Sequence, residues 1–345
     1  MHVVGLNISF IFVFLIVLTI SSSLSEEIDP FTNEPDAVTE IAKHIEDIEK
    51  LSKAAAKAND GVQIPIQDTN IIYEGIIQVI QTIIESFKDK IYAKEFLKSR
   101  GIERVIVPNL MMPHLELKTS ILVLVKILFE VTPTATKAAV PIALVDRLLD
   151  IFENDGNLAL KAHSVDILVL WLPKNPLLQA RVMKLKGLEP FYNQITKLNG
   201  SIVKTLLELF NVILKEHIRA RDGKIQKGKN DKSRLYQRIG LIERMSTPPV
   251  CSGLVHAIDI IWNYNIKDDN NNILNLLLEL TNNLRQFCLK VLRGKTKAIE
   301  IYDLLFKFVT DPGNEDLFLK SDINVTATRV VLGGFLKDLK IRDEL

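Results

Sequence analysis

Three stretches of this chain repeat the same order of helices and turns at a spacing in the low forties, and no other feature limits the fold as tightly. Gly101-Ile102 opens one unit, Ala143-Leu144 the next and Gly187-Leu188 the third, 42 and 44 residues apart. Each unit closes on a strongly apolar helix. Residues 119–129, 163–172 and 202–214 carry Leu, Ile, Val and Phe every three or four positions, the period of a helix with one buried face. Pro133 and Pro176, 43 residues apart, follow the first two of these helices, where a helix must stop. No unit of this kind buries its apolar stripe alone, and stacking the units gives a continuous core.

A period in the low forties with two or three helices per unit is the signature of armadillo and HEAT repeats. The chain is therefore predicted to be all-α, an armadillo/HEAT-like solenoid with helical caps. Helical patterns at 70–87 and 92–97 precede the repeats and are expected to cap them; patterns at 236–244, 251–264, 273–291, 295–309 and 324–340 complete the body. No segment alternates with period two for long. The 345 residues, 47% of them hydrophobic, suffice for one repeat domain with tails.

The two ends read as an address. Residues 1–25 contain no Lys, Arg, Asp or Glu, hold an unbroken apolar run at 10–18 and end in small residues at Ser21, Ser22, Ser23 and Ser25. This is the pattern of a secretory signal peptide cleaved before Glu26, which leaves no stable membrane insertion. The last four residues, Arg342, Asp343, Glu344 and Leu345, resemble the endoplasmic-reticulum retrieval signal and imply a retrieval receptor as partner. Together they predict a resident of the endoplasmic-reticulum lumen. Asn199-Gly200-Ser201 and Asn324-Val325-Thr326 are glycosylation sequons that such a location would expose to the modifying enzyme.

Between the ends the expected divisions are a signal peptide at 1–25, an acidic and largely flexible region at 26–67, the solenoid at 68–341 and the retrieval signal at 342–345. Net charge is only +1, so no global field favours nucleic acid. The charge is nevertheless uneven. Residues 26–49 hold nine acids and one base; residues 219–238 hold eight bases and two acids. Residues 37–58 form a helical pattern with Val38, Ile41, Ile45, Ile48 and Leu51 on one face, either free to meet a partner or packed on the body. The basic run is either a mobile loop or a docking element for an acidic partner surface. With one aromatic, Tyr236, it lacks a stacking platform for bases.

No nucleotide-binding glycine loop, His-Glu-x-x-His, Cys-x-x-Cys or Gly-x-Ser-x-Gly occurs. The expectation is a chain with no catalytic residues, no metal and no cofactor. The histidines are too scattered for a local ligand pair, and Glu46, Asp47 and Glu49 read as a solvated acidic face. Two cysteines exclude a disulfide scaffold. Cys251 and Cys288 fall on neighbouring predicted helices. They either join in one disulfide or lie buried singly.

One local arrangement points to a family. A closing helix at 165–172 is followed by Asn175-Pro176 with Gln179, then by the Gly187-Leu188 that opens the next unit. In this order of parts the chain resembles the armadillo-type nucleotide exchange factors of heat-shock chaperones. The signal peptide, acidic N-terminal region and C-terminal retrieval signal are similar to those of the lumenal members that serve the chaperone BiP. The first unit departs from the pattern with Thr132-Pro133, and the N-terminal redox cysteine pair of some relatives is absent.

The resemblance implies a monomer that grips the ATPase domain of BiP, opens its nucleotide cleft and promotes ADP release, supporting folding and translocation without chemistry of its own. A lumenal scaffold or adaptor without exchange activity would share the same address and repeats. In the family the closing helices line the concave, partner-binding face. The candidates here are Lys118 and Lys126 on the first; Lys161, His163 and Asp166 on the second; and Lys204, Glu208, Asn211 and Lys215 on the third. The last four are spaced 4, 3 and 4, opposite Leu206, Leu207, Phe210 and Leu214. Asn175 and Gln179 are expected to tie the inter-unit turn by hydrogen bonds to the main chain.

Overall fold

A computed structural model describes residues 34–59, 66–134, 141–185, 189–222, 231–265, 271–320 and 323–341. The expected signal peptide and retrieval signal, Gly187-Leu188 and Lys224, Lys227 and Lys229 of the basic run lie outside them. The described residues contain helices and no strand.

The chain is all-α. In order come α1 (Glu34–Asn59), α2 (Ile66–Ser86), α3 (Lys90–Lys98), a π-helical turn (Ile102–Ile106), α4 (Leu115–Val131) and α5 (Ile142–Asn154). Then follow α6 (Leu158–Trp171), α7 (Pro176–Leu185), α8 (Glu189–Gln194), α9 (Gly200–Asp222), α10 (Asp231–Ile239) and α11 (Leu241–Met245). The last are α12 (Pro248–Asn265), α13 (Asn271–Leu292), α14 (Thr296–Thr310), α15 (Glu315–Lys320) and α16 (Val325–Lys340).

Helices α2, α4, α6, α9, α13 and α16 form a row in which each packs on the next. The remaining long helices back this row: α1 and α3 lie on its first members, α5 on α6, α12 on α9 and α13, and α14 on α16. That arrangement is a helical solenoid. Three of the row helices are started by asparagine side chains. Asn157 accepts from the Ala159 and Leu160 amides to start α6, Asn199 from Ile202 at the start of α9, and Asn324 from Ala327 at the start of α16. Each satisfies a main-chain donor that the first helical turn leaves unpaired.

The row is parallel, and its register can be read from contacts. Lys126 meets Asp166, 40 positions on. The Phe129 and Trp171 rings pack edge to face at 5.1 Å. The main-chain amide of Lys174 donates to Glu216, 42 positions on. Further along the row Asn211 meets Glu279 and Arg221 meets Gln286, so both helices advance in the same direction, as only parallel neighbours do. The core follows the row as two buried sets that overlap in sequence, one from Ile41 to Leu209 and one from Phe152 to Leu339, with Val169, Phe191 and Ile213 packed against both.

Expectations for the acidic region need correction. The acidic region was divided from the body at residue 67, yet α1 is part of the body. Ala37, Ile41, Ile45, Ile48 and Ala55 are fully buried against α2, α3 and the π-helical turn. Each buried isoleucine contributes about 2 kcal/mol of transfer free energy. Val38 is turned outward, because the buried face runs through Ala37 instead. Glu49 is not merely solvated; it takes a two-point grip from Arg104 at 2.7 and 2.8 Å. Beyond the three units the next row helix does not keep their spacing. Row helices start at Leu115, Leu158 and Gly200, close to the expected interval, but the next starts only at Asn271. The helices α10 and α11 and the Pro248-Pro249 start of α12 are inserted between them. Gly240, at φ 60°, divides α10 from α11 in a left-handed turn that favours glycine.

Two glycines permit close packing. A Cβ on Gly101 would lie 2.4 Å from the Phe96 ring, and one on Gly253 of α12 would lie 2.6 Å from the Tyr192 Cβ of α8. Cys251 and Cys288 form a disulfide between α12 and α13.

Candidate partner-binding surface

The outward edge of the row carries most of the charged residues singled out from the sequence, and most are already paired across helices. On α4, half-buried Lys118 reaches Asp155 at 3.5 Å, and Lys126 reaches Asp166 of α6 at 3.3 Å. On α9, Lys204 sits 3.9 Å from Glu208, one turn on. Lys215 pairs with Glu279 of α13, and the Asn211 amide donates to the same carboxylate at 2.9 Å. Asn283 of α13 in turn donates to Asn211 at 3.2 Å. Arg285 continues the pattern to Asp338 of α16 at 3.1 Å.

Apart from Lys204–Glu208, the paired charges therefore bridge neighbouring elements while staying partly exposed. Exposed pairs of this kind are worth up to about 1 kcal/mol each. Their geometric effect is to hold the surface in register. By the same register Leu170 of α6 and Val212 of α9, 42 positions apart, occupy equivalent positions; Leu170 is half-buried and Val212 is 42% exposed. Apolar side chains thus lie among the charges of this surface, a mixture found at protein interfaces.

The structure separates the candidates. Lys118, Lys126, Asp166, Lys204, Glu208 and Lys215 lie on this surface. Lys161 does not. It is buried, and its ammonium donates to the main-chain oxygens of Phe152 at 2.6 Å and Glu153 at 3.2 Å, and to Gln194 at 3.2 Å. It satisfies the C-terminal carbonyls of α5, where a cation is favoured. Burial holds its pKa below the ordinary lysine value, with Lys197 pushing the same way. Asn211 is also buried, turned into the α9–α13 junction rather than outward. His163 is half-buried, and its enclosed Nδ1 has no hydrogen-bond partner among the described residues.

The Asn-Pro box acts within the fold. Asn175 Oδ1 accepts from the Leu178 amide at 3.3 Å, and Pro176 occupies the first position of α7, where its missing donor costs nothing. The Gln179 amide donates to the Leu172 carbonyl at 2.9 Å and to Glu216 at 3.0 Å, while its oxygen meets His217 Nε2 at 3.0 Å. Tyr236 of α10 donates to the same Glu216 at 2.9 Å. This buried network ties α7, α9 and α10 at one point. Burial pushes the His217 imidazole down to about 4, against the opposing pull of Glu216. Burial first, and the Glu216 bond second, raise the Tyr236 phenol above its ordinary value. An apolar cavity of about 70 Å³ lies beside the network, walled by Leu206, Leu207, Phe210, Ile213 and Tyr192.

The asparagines of both sequons are exposed, and each uses only Oδ1 as a helix cap. Asp155, Glu279 and Asp338, which complete the charge pairs, were not singled out from the sequence. Their positions relative to their partners depend on how far the chain travels between row helices, and only the first offsets follow the repeat.

Comparison with protein-family models, with curated proteins and with solved structures finds no match to this chain. Among the described residues, no helix is long and apolar enough to cross a membrane.

Proposed function

We propose that this chain is a nucleotide exchange factor for the lumenal chaperone BiP, with repeats of the armadillo kind. The observation that carries the reading is the Asn175-Pro176-x-x-Gln179 box. It stands at the turn after a row helix, where the family resemblance puts it, and its side chains lock that turn to the end of α6 through Leu172 and to α9 through Glu216 and His217. The parallel row supplies a broad surface with apolar side chains among fixed charges, suited to one lobe of a folded ATPase domain. The Cys251–Cys288 disulfide is in keeping with an oxidising compartment. The apolar leader and the Arg-Asp-Glu-Leu end accord with the same lumenal address.

The protein would act by binding the open form of the ATPase domain more tightly than the closed form, because only such a difference shifts the equilibrium between them. If it weakens ADP binding, ADP weakens its own binding by the same factor. The test is ADP release. BiP is loaded with a fluorescent ADP analogue, chased with ATP and mixed with increasing amounts of the protein. A release rate that climbs and saturates is the expected result. A flat rate with binding retained would make the protein an adaptor, and a flat rate without binding would end the assignment.

A further inference from the structure

The arginines of this chain are not distributed alike. Arg100, Arg104, Arg181, Arg221 and Arg285 each face a carboxylate. Arg329 donates to the Val309 carbonyl at 3.0 Å, and Arg293 makes contacts of its own. Five described arginines have no ion pair or side-chain hydrogen bond: Arg147, Arg219, Arg234, Arg238 and Arg244. Four of these five fall within 26 residues, at the corner where α9 ends and α10 and α11 begin.

The corner is built so that these groups point away from the fold. Tyr236 and Ile239 form the inner side of α10, on Glu216 and in the core. Arg234 and Arg238, one turn apart, lie opposite and are exposed. The Gln237 amide donates to the Ala220 carbonyl at 3.1 Å, which brings α10 beside Arg219 on the last turn of α9. The carboxylates on these elements are mostly committed: Glu216 to Tyr236 and Gln179, and Asp222 to Arg221. Among the described side chains of these elements, Glu243 of α11 remains against four guanidiniums.

We infer that this corner is a docking surface for an acidic polypeptide segment. Guanidinium groups match carboxylates with two-point geometry. The one aromatic of the corner is turned inward, so bases would find no ring to stack on. No large hydrophobic side chain is exposed among the described residues between Val212 and Leu304, so nothing there would enter a bilayer. What remains is charge recognition of a carboxylate-rich chain. The inference stands apart from exchange activity, since it needs no nucleotide-binding partner.

The test uses a fluorescein-labelled poly-glutamate peptide and the purified protein, read by anisotropy across a salt series. The expected result is binding that weakens as salt rises, with R219E/R234E/R238E losing at least about tenfold. The three positions are exposed, so the melting temperature should hold; if it falls, R219Q/R234Q/R238Q gives the same reading without added like charge. A control, K43E/K53E/K57E on the exposed face of α1, should bind as the parent does. Equal binding by parent and arginine variant, or an equal loss in the control, overturns the inference. So does tighter binding to a single-stranded oligonucleotide or to phosphatidylserine vesicles than to the peptide.

Discussion

Gln179 Oε1 and His217 Nε2 meet at 3.0 Å inside the protein, 38 residues apart in sequence, where α7 is joined to α9. The same glutamine holds the Leu172 carbonyl and Glu216 with its amide. No hydrophobic residue of similar size can serve these partners. Gln179→Leu should therefore cost about 2 kcal/mol, since it leaves a buried imidazole unpaired and takes from the Leu172 carbonyl one of its two donors, the other being the Asn175 amide. Urea unfolding followed by circular dichroism would measure it, and a loss below about 0.5 kcal/mol would show that the network relaxes elsewhere.

His217 also gives the fold a pH dependence. Its folded value, about 4, lies below the ordinary histidine value of 6.5. Between those limits the unfolded chain takes up a proton that the folded chain refuses, so stability falls as pH drops from 6.5 toward 4 and levels below that. The total is about 3 kcal/mol. The difference between parent and His217→Asn in unfolding free energy, measured at pH 7.5 and pH 4.5, should shrink by a large part of that amount; an unchanged difference would remove His217 as its source.

The disulfide closes a loop across 37 positions between α12 and α13. On chain entropy alone such a bridge contributes about 4 kcal/mol. Both sulfurs are buried, so reduction should wait on unfolding. Scanning calorimetry of the C251A/C288A variant should show a clearly lower melting temperature. In the native parent, a membrane-impermeant reductant with mass-tag labelling should leave the bond intact.

Gly101→Ala tests the close packing at the start of the first repeat. The added methyl would meet the Phe96 ring at 2.4 Å, inside any permitted contact, so α3 or the π-helical turn must move. Overpacking of this kind costs about 1 to 3 kcal/mol. The pair Gly101→Ala with Phe96→Leu should recover part of it, and the absence of recovery in thermal melts would place the strain elsewhere.

Lys215 and Glu279 allow stability to be separated from binding. Lys215→Glu puts two carboxylates together and should lower both stability and affinity for the chaperone. The swap K215E/E279K restores the pair, so melting should return to near the parent value. Affinity should stay reduced, because the surface now presents the opposite polarity to the partner. A swap that also regains full affinity would take this pair out of the binding surface.

How far the fold is legible from sequence depends on the distance over which each choice is made. The row helices α4, α6 and α9 follow from apolar spacing, and the role of Gln179 follows from its place after a helix stop. The packing of α1 was less plain, because its acids suggest solvent while Ile41, Ile45 and Ile48 bury a full face. Lys161 misled for a related reason. A lysine on an amphipathic helix is taken as an outward residue, yet its four-carbon stem carries the ammonium to the end of α5. Glu279 lies 68 residues from Asn211, across the inserted α10 and α11, and no local pattern joins them.

The parallel row has a mechanical consequence. Within the row each helix packs on the one before and the one after, so bending is shared out as a small rotation at every junction and accumulates along the row. The covalent link between α12 and α13 stiffens the far end. The stack therefore resembles a spring clamped at one side: its compliant members are α2 to α9, and a body held against them would feel a restoring push rather than a rigid wall.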